Sequence, residues 1–138
     1  MQPRAVVLLA TVFCLLGCPA SVEQPKFRDF ADRYYQTLRD EPFEQALPLY
    51  EARFFDTTPQ LEWQEKLEQT RQRFGQLESW QQAKWSMEML PNGTFVTFEY
   101  DVTYASERRR EILTIVAPRE TDSLYVFGHH IRGPSPNP

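Results

Sequence analysis

The sequence predicts an α+β domain in which three N-terminal helices pack on one face of a curved, four-stranded antiparallel sheet. Two observations predict this fold. Apolar residues recur at every third or fourth position as far as Phe74, and at every second position from Leu77 onward. Helices that all precede the strands are typical of α+β domains, because a parallel sheet would need a helix between its strands.

Three segments have the helical period: residues 27–39, a short or bent segment that begins near Pro42, and residues 59–74. Pro48 limits the second segment, since proline cannot donate a helical hydrogen bond. Gly75 directly follows the third segment, where a glycine often ends a helix in a left-handed conformation.

Four later segments alternate apolar and polar residues: 77–90, 95–104, 112–117 and 124–131. The Pro91-Asn92-Gly93 turn between the first two is typical of a β-hairpin. Short polar connections separate the others, so all four strands are expected to run antiparallel to their neighbours.

The N-terminus has the features of an export signal. Met1 to Arg4 form a short basic start, and residues 5–16 are apolar apart from Thr11. This apolar run is too short to cross a bilayer, since a transmembrane helix needs about 20 residues. It is therefore interpreted as the core of a leader that is removed.

The end of this leader, Leu15-Leu16-Gly17-Cys18, resembles the lipobox of bacterial lipoproteins. That resemblance implies cleavage between Gly17 and Cys18, followed by attachment of acyl chains to Cys18 and anchoring in a lipid bilayer. Several acyl chains hold a protein on a membrane far more durably than one. The alternative is an ordinary secretory leader that is cut after Ala20.

This organisation leaves one folded domain. Loss of the leader removes Arg4 and changes the formal charge from −4 to −5, which argues against nucleic acid as a partner. Cys14 lies in the leader and Cys18 is the proposed lipid site, so no internal disulfide is expected. The predicted segments are a signal peptide (1–17), a tether (18–25), a single α+β domain (26–132) and a disordered tail (133–138).

Several positions in this order of elements match a known fold and family: Trp63, Arg71 and Gly75 around the third helix, residues 91–95 at the turn, and Tyr100, Glu111 and Gly128 in the strands. Residues 27–131 resemble the nuclear transport factor 2-like superfamily, a cone-shaped α+β fold. The part from Thr58 onward resembles the exported bacterial family known as domain of unknown function 4019. The resemblance implies a fold and an exported setting, and it implies no reaction.

The aromatic residues of the domain allow two interpretations. They line a pocket inside the cone, or they fill the cone as ordinary core, because alternation predicts burial without predicting a cavity. The candidate pocket-lining residues are Tyr34, Trp63, Trp85, Phe98, Tyr100 and Tyr104.

An enzyme in such a cone would need an inward carboxylate. Glu99 and Asp101 alternate out of phase with the tyrosines of their strand, which places them on the opposite face, so only Asp56 or a helix residue such as Asp32 could still point inward. No catalytic residue is therefore assigned.

Two further clusters contain residue types that can bind a ligand. His129 and His130 are adjacent in a strand and face opposite sides, which favours a pair of end-of-sheet histidines over a metal site. Residues 108–110, three consecutive arginines, are interpreted as a solvated turn. No cofactor or metal is predicted.

The sequence thus favours a noncatalytic, membrane-tethered module that binds a protein or a small apolar ligand. The position after Cys18 is Pro19, without the aspartate that often retains lipoproteins at the inner membrane, so the periplasmic face of the outer membrane is the expected location. Homodimerisation through the outer sheet face remains open. The alternative function is a small isomerase or hydrolase that acts on an apolar substrate.

Overall fold

Four α-helices precede four strands in residues 24–135, the part of the chain that this computed structural model describes. The helices are α1 (Gln24–Asp40), α2 (Phe43–Ala46), α3 (Phe54–Thr57) and α4 (Gln60–Phe74), with a 3₁₀ turn at Leu47–Leu49. The strands are β1 (Leu77–Leu90), β2 (Gly93–Tyr104), β3 (Arg108–Pro118) and β4 (Tyr125–Pro134). They form one antiparallel sheet in the order β1-β2-β3-β4.

The predicted α+β class and the antiparallel sheet are confirmed, but the prediction of three helices is wrong. The additional helix, α3, is a single turn of four residues that is too short to show a helical period in the sequence. Regular structure also extends two residues beyond each end of the predicted domain, since α1 begins at Gln24 and β4 ends at Pro134. Gly133 and Pro134 therefore belong to a strand and not to the predicted tail.

The predicted signal peptide, the cleavage site between Gly17 and Cys18, and the lipidation of Cys18 fall outside the described residues. Within residues 24–135, no helix has both the length and the apolar character needed to span a membrane.

The core lies between the helices and one face of the sheet. α1 contributes Phe27, Tyr34 and Tyr35, all fully buried, at the helical spacing that puts them on one side of the helix. They pack against strand residues such as Phe98 and Ile115, which are also fully buried. Burial of each such side chain contributes about 1.5–3 kcal/mol, so this one face accounts for much of the stability of α1.

Two register shifts in β1 change which side chains face the helices. Between them Trp80 lies opposite Val102, and after the second shift Trp85 lies opposite Phe98. Residues directly opposite one another share a face of the sheet, so both tryptophans lie on the helix-facing side although simple alternation put them on opposite sides. A bulge adds one residue to a strand and reverses the phase of everything beyond it.

Gly75 ends α4 as predicted, with φ at +85°. Its N–H donates to the carbonyl of Arg71, and a Cβ at this position would lie 2.5 Å from the Cβ of Ala105. Any larger residue would therefore be strained in both backbone and packing.

Candidate functional site

A network of buried polar side chains connects the helices to the sheet. Its acidic member is Glu111, which is fully buried, and its histidine is His129, of which 4% is exposed; both lie on the sheet. Buried carboxylates are rare unless they are hydrogen-bonded, so this pair marks the most unusual chemistry in the described chain. The other members are Tyr34 and Tyr35 of α1, Tyr50, Trp63 of α4 and Tyr104 of β2.

The sheet register brings the acid and the histidine together. Glu111 shares the inward phase of β3 with Leu113 and Ile115, both fully buried. His129 lies directly opposite Leu113 on β4, and therefore faces the same side of the sheet. The His129 Nε2 atom lies 2.7 Å from Glu111 Oε2.

Glu111 is the common acceptor of the network. The Tyr104 hydroxyl donates to its Oε1 at 2.5 Å, and the Tyr35 hydroxyl donates to its Oε2 at 3.1 Å. With His129, three donors from three different elements converge on one carboxylate. This number of donors offsets the cost of removing the carboxylate from water.

The indole of Trp63 begins a chain of hydrogen bonds whose direction follows from the donors and acceptors at its two ends. Its Nε1–H can only donate, and it donates to the Tyr50 hydroxyl oxygen at 2.8 Å. The Tyr50 hydroxyl lies 2.7 Å from the Tyr34 hydroxyl, which in turn lies 2.8 Å from His129 Nδ1. Every group is satisfied only if Tyr50 donates to Tyr34 and Tyr34 donates to Nδ1.

This direction assigns the proton of the histidine ring. Because Nδ1 of His129 accepts from Tyr34, the ring carries its proton on Nε2 and donates it to Glu111. The chain therefore runs one way, from the indole of Trp63 through two tyrosines and an imidazole to a carboxylate. Both ring nitrogens are occupied, so neither is available to a ligand.

Burial holds the network tyrosines in their neutral form. It raises the pKa of Tyr34 and Tyr35 well above the usual 10, and the nearby negative charge of Glu111 adds to the shift at Tyr35. Burial, followed by the charge of Glu111, also raises the pKa of Tyr104. The pKa of Tyr50 rises to about 12, because burial outweighs hydrogen bonds with Tyr34 and Trp63 that lower it.

These shifts predict that stability falls at alkaline pH. A pKa that is raised in the folded state gives stability that is complete below the unfolded value, about 10, and is lost as pH rises through the folded value. For each tyrosine with a raised pKa, we expect the free energy of unfolding to fall by up to about 1.4 kcal/mol per pH unit between the unfolded pKa, about 10, and the folded pKa. Urea unfolding between about pH 8 and pH 11 measures this loss. Ultraviolet phenolate absorbance that appeared well before unfolding would contradict the buried network.

A cavity of about 360 Å³ lies at one end of the network, between α1, α2, α4 and the sheet. Tyr104 and His129 belong to its lining. The rest of the lining consists of four apolar residues, Leu38, Phe43, Leu67 and Leu77, and four polar or charged residues, Glu41, Gln64, Glu68 and Arg71. Its volume lies within the range of small-molecule sites, about 300–1,000 Å³.

The six aromatic residues that were predicted to line a pocket lie in three different places in the structure. Tyr104 alone among them lines this cavity, and Tyr34, Trp63, Phe98 and Tyr100 are buried in the core. Trp85 does not line the cavity as predicted: although it lies on the helix-facing side of β1, it is 40% exposed. β1 is an edge strand of the sheet, and Phe98, which lies opposite Trp85 on the inner strand β2, is fully buried.

The carboxylates considered for an inward role lie elsewhere. Asp56 is exposed and does not point inward, whereas Asp32 is half-buried and accepts a hydrogen bond from Trp80 Nε1 on the helix-facing side of the sheet at 2.7 Å, outside the buried network. Glu99 and Asp101 lie on the outer face as predicted and bind Arg110 at 2.8 and 2.9 Å.

The arginine run at 108–110 is also a correction, since these residues begin β3 and do not form a turn. Arg108 contacts Asp101 at 3.5 Å and Arg109 contacts Glu107 at 3.2 Å. These arginines therefore pair with carboxylates of the same domain, and the run does not form an open anion site.

His129 and His130 face opposite sides as predicted, with His129 buried and His130 exposed. The end-of-sheet interpretation is wrong for His129, which sits in the core between Tyr34 and Glu111. Among residues 24–135, no group of three or more His, Cys, Asp or Glu side chains is arranged to hold a metal ion.

Four residues of this network were not predicted as site residues: Glu111, His129, Tyr35 and Tyr50. One signal was present: Glu111 occupies the inward phase of an otherwise apolar strand. A charged residue in that phase needs buried partners, which indicates a polar network inside the core.

Comparisons with protein families, curated proteins and solved structures give no match to this chain. The site geometry must therefore carry the functional argument.

Proposed function

We propose that this chain is an exported, lipid-anchored module whose folded domain binds a small, mostly apolar ligand. The cavity of about 360 Å³, closed at one end by Tyr104 and His129, carries the proposal. Apolar walls with a few polar groups at fixed positions are typical of sites that bind small molecules, because burial supplies affinity and the polar groups fix orientation.

The anchor in this proposal is the acylated Cys18 at the end of the lipobox-like leader, and the location is the bacterial outer membrane on its periplasmic side. We also propose a nuclear transport factor 2-like cone related to domain of unknown function 4019. Four features support that relation: the order of helices before strands, the left-handed Gly75, the turn before Gly93 and the inward Glu111.

Binding is a better interpretation than acid–base catalysis because the network is closed. His129 uses both ring nitrogens, on Tyr34 and on Glu111, and Glu111 accepts three hydrogen bonds. A general base needs a free acceptor within reach of its substrate. The network therefore acts as a rigid wall of the cavity.

The test is a binding assay with N-phenyl-1-naphthylamine, a neutral apolar dye whose fluorescence rises in apolar surroundings. Leu67 is half-buried and lines the cavity, so Leu67→Trp fills it. We expect this variant to bind the dye at least about tenfold more weakly than the wild type, a loss of about 1.4 kcal/mol, because the indole occupies the space that the dye would fill.

Leu61→Trp is the matched control, because Leu61 lies on the same helix and is exposed. It should bind the dye as the wild type does. Equal weakening by both substitutions, or no dye binding by the wild type, would refute the cavity as a ligand site.

A further inference from the structure

Exposed apolar side chains concentrate at one end of the sheet. Of five large hydrophobic residues that are exposed within residues 24–135, four lie in the half of the sheet near the β1–β2 turn. These four are Trp85, Met89, Leu90 and Phe127, which we call the apolar tip. Met89 is 79% exposed, so most of its apolar side chain contacts solvent and not the rest of the domain.

The apolar tip has side chains on both faces of the sheet. Trp85 and Met89 lie on the helix-facing side, opposite Phe98 and Thr94. Leu90 follows Met89 and points to the other side, where the Phe127 ring packs edge-on against Phe95 with centroids 5.1 Å apart. A protruding edge that is apolar on both faces resembles a wedge more than a flat docking surface.

The beginning of α1 lies beside the apolar tip. Lys26, in the first turn of the helix, lines the same surface groove as Met89 and Leu90. Cys18 precedes Gln24, the first residue of α1, by six residues, which span at most about 22 Å when fully extended. A bilayer that holds Cys18 is therefore within short reach of this end of the domain.

The opposite end of the sheet has a different surface. It carries the paired charges of residues 108–110 and their acidic partners, including Asp101 and Glu107. Charged groups pay a high cost to leave water, and exposed apolar groups gain from leaving it. The two ends of the sheet thus differ: four exposed large apolar side chains lie at the end beside the start of α1, and the ion pairs of residues 108–110 lie at the other.

We infer that the apolar tip inserts into the acyl–headgroup boundary of the bilayer and fixes the orientation of the domain on the membrane. This inference rests on the lipid anchor of the proposed function. Tryptophan favours that boundary, and an apolar wedge gains from burial there. The cavity, which is lined by Leu77 and Tyr104 at the far end of the sheet, then opens away from the membrane.

Electrostatics plays a small part in this contact. Charges of both signs surround the tip: Lys26 and Arg119 are basic, and Glu88, Glu120 and Asp122 are acidic. Insertion should therefore occur in neutral lipid and be insensitive to salt, unlike binding by a basic patch.

The experiment uses the full chain, expressed and acylated in bacteria and reconstituted into phosphatidylcholine vesicles. The acylated mature form has no free thiol, so Met89→Cys provides one site for the environment-sensitive fluorophore nitrobenzoxadiazole. We expect its emission to shift to the blue and rise several-fold relative to detergent-free protein without vesicles, equally at about 0.1 and 1 M salt.

Gln76→Cys is the matched control, because Gln76 is exposed and precedes β1 about 40 Å from Met89 along the strand. Its fluorophore should not respond. Equal responses at both positions, or none at Met89, would overturn the insertion.

A mass measurement of the N-terminal residue reports the anchor separately. Acylated protein without a response at Met89 overturns the insertion and leaves the anchor standing. A response at Met89 in unacylated protein supports the insertion and removes the anchor, whereas unacylated protein that gives no response removes both.

Discussion

Glu111→Ala is expected to destabilise the domain by about 3–5 kcal/mol, close to the whole stability of many small domains. The substitution leaves the hydroxyls of Tyr35 and Tyr104 and the Nε2–H of His129 without an acceptor in the core. Each buried donor that loses its partner costs about 1–3 kcal/mol. Urea unfolding followed by far-ultraviolet circular dichroism measures the change, and Glu111→Gln should fall between wild type and alanine.

Glu99→Ala is the control for this prediction. Glu99 lies on the neighbouring strand, but it faces outward and binds Arg110, which keeps its second partner Asp101. We expect a loss of no more than about 1 kcal/mol, as for other partly exposed ion pairs. Equal losses at the two positions would mean that the convergence of donors on Glu111 contributes nothing.

Trp63→Ala should cost about 3–5 kcal/mol through a different mechanism, the loss of a large buried side chain. Trp63 is 1% exposed and packs against the rings of Phe54 and His129, with centroids 5.4 and 5.1 Å away. Leu61→Ala, on the exposed side of the same helix, should change stability by less than about 0.5 kcal/mol. Similar unfolding midpoints for the two variants would contradict the packing described for α4.

Trp63→Phe separates packing from hydrogen bonding at this position. It keeps most of the ring but removes the Nε1–H that donates to Tyr50. Without that donor Tyr50 can still donate to Tyr34, and the carboxylate of Glu111 still requires the proton of His129 on Nε2. Trp63→Phe should therefore cost less stability than Trp63→Ala, and nitrogen-15 spectra of the imidazole should show the same single tautomer as in the wild type; a different tautomer would contradict the direction assigned to the network.

Local sequence signals predicted much of the architecture because the features concerned are local. The helical spacing around Tyr34, the stop at Gly75 and the turn before Gly93 depend on neighbours within a few residues. The short helix α3 was missed because four residues hold too little periodicity. The exposure of Trp85 was missed because alternation does not show that β1 lies at the edge of the sheet.

The polar network could not be predicted in the same way, because distance along the chain hides it. Glu111 meets Tyr35 across 76 positions and His129 across 18, and neither separation leaves a period in the sequence. Adjacent histidines in a strand look like surface residues until the register shows that His129 faces Tyr34. The alternation in β3 shows that Glu111 lies in the inward phase of the strand. It therefore indicates a buried charge, but it does not identify the residues that bind it.

The place of β4 as the last strand of the sheet affects how the molecule reaches its native state. This strand supplies Val126 and His129 to the interior, and its Val126 carbonyl accepts from the N–H of Glu51. A chain that is made N-terminus first can already pack α1 on β1 and β3, but it cannot close its interior until this ten-residue strand has been synthesised. Until then Tyr34 and Glu111 lack their shared partner His129, so the helices and the first three strands enclose an incomplete polar network.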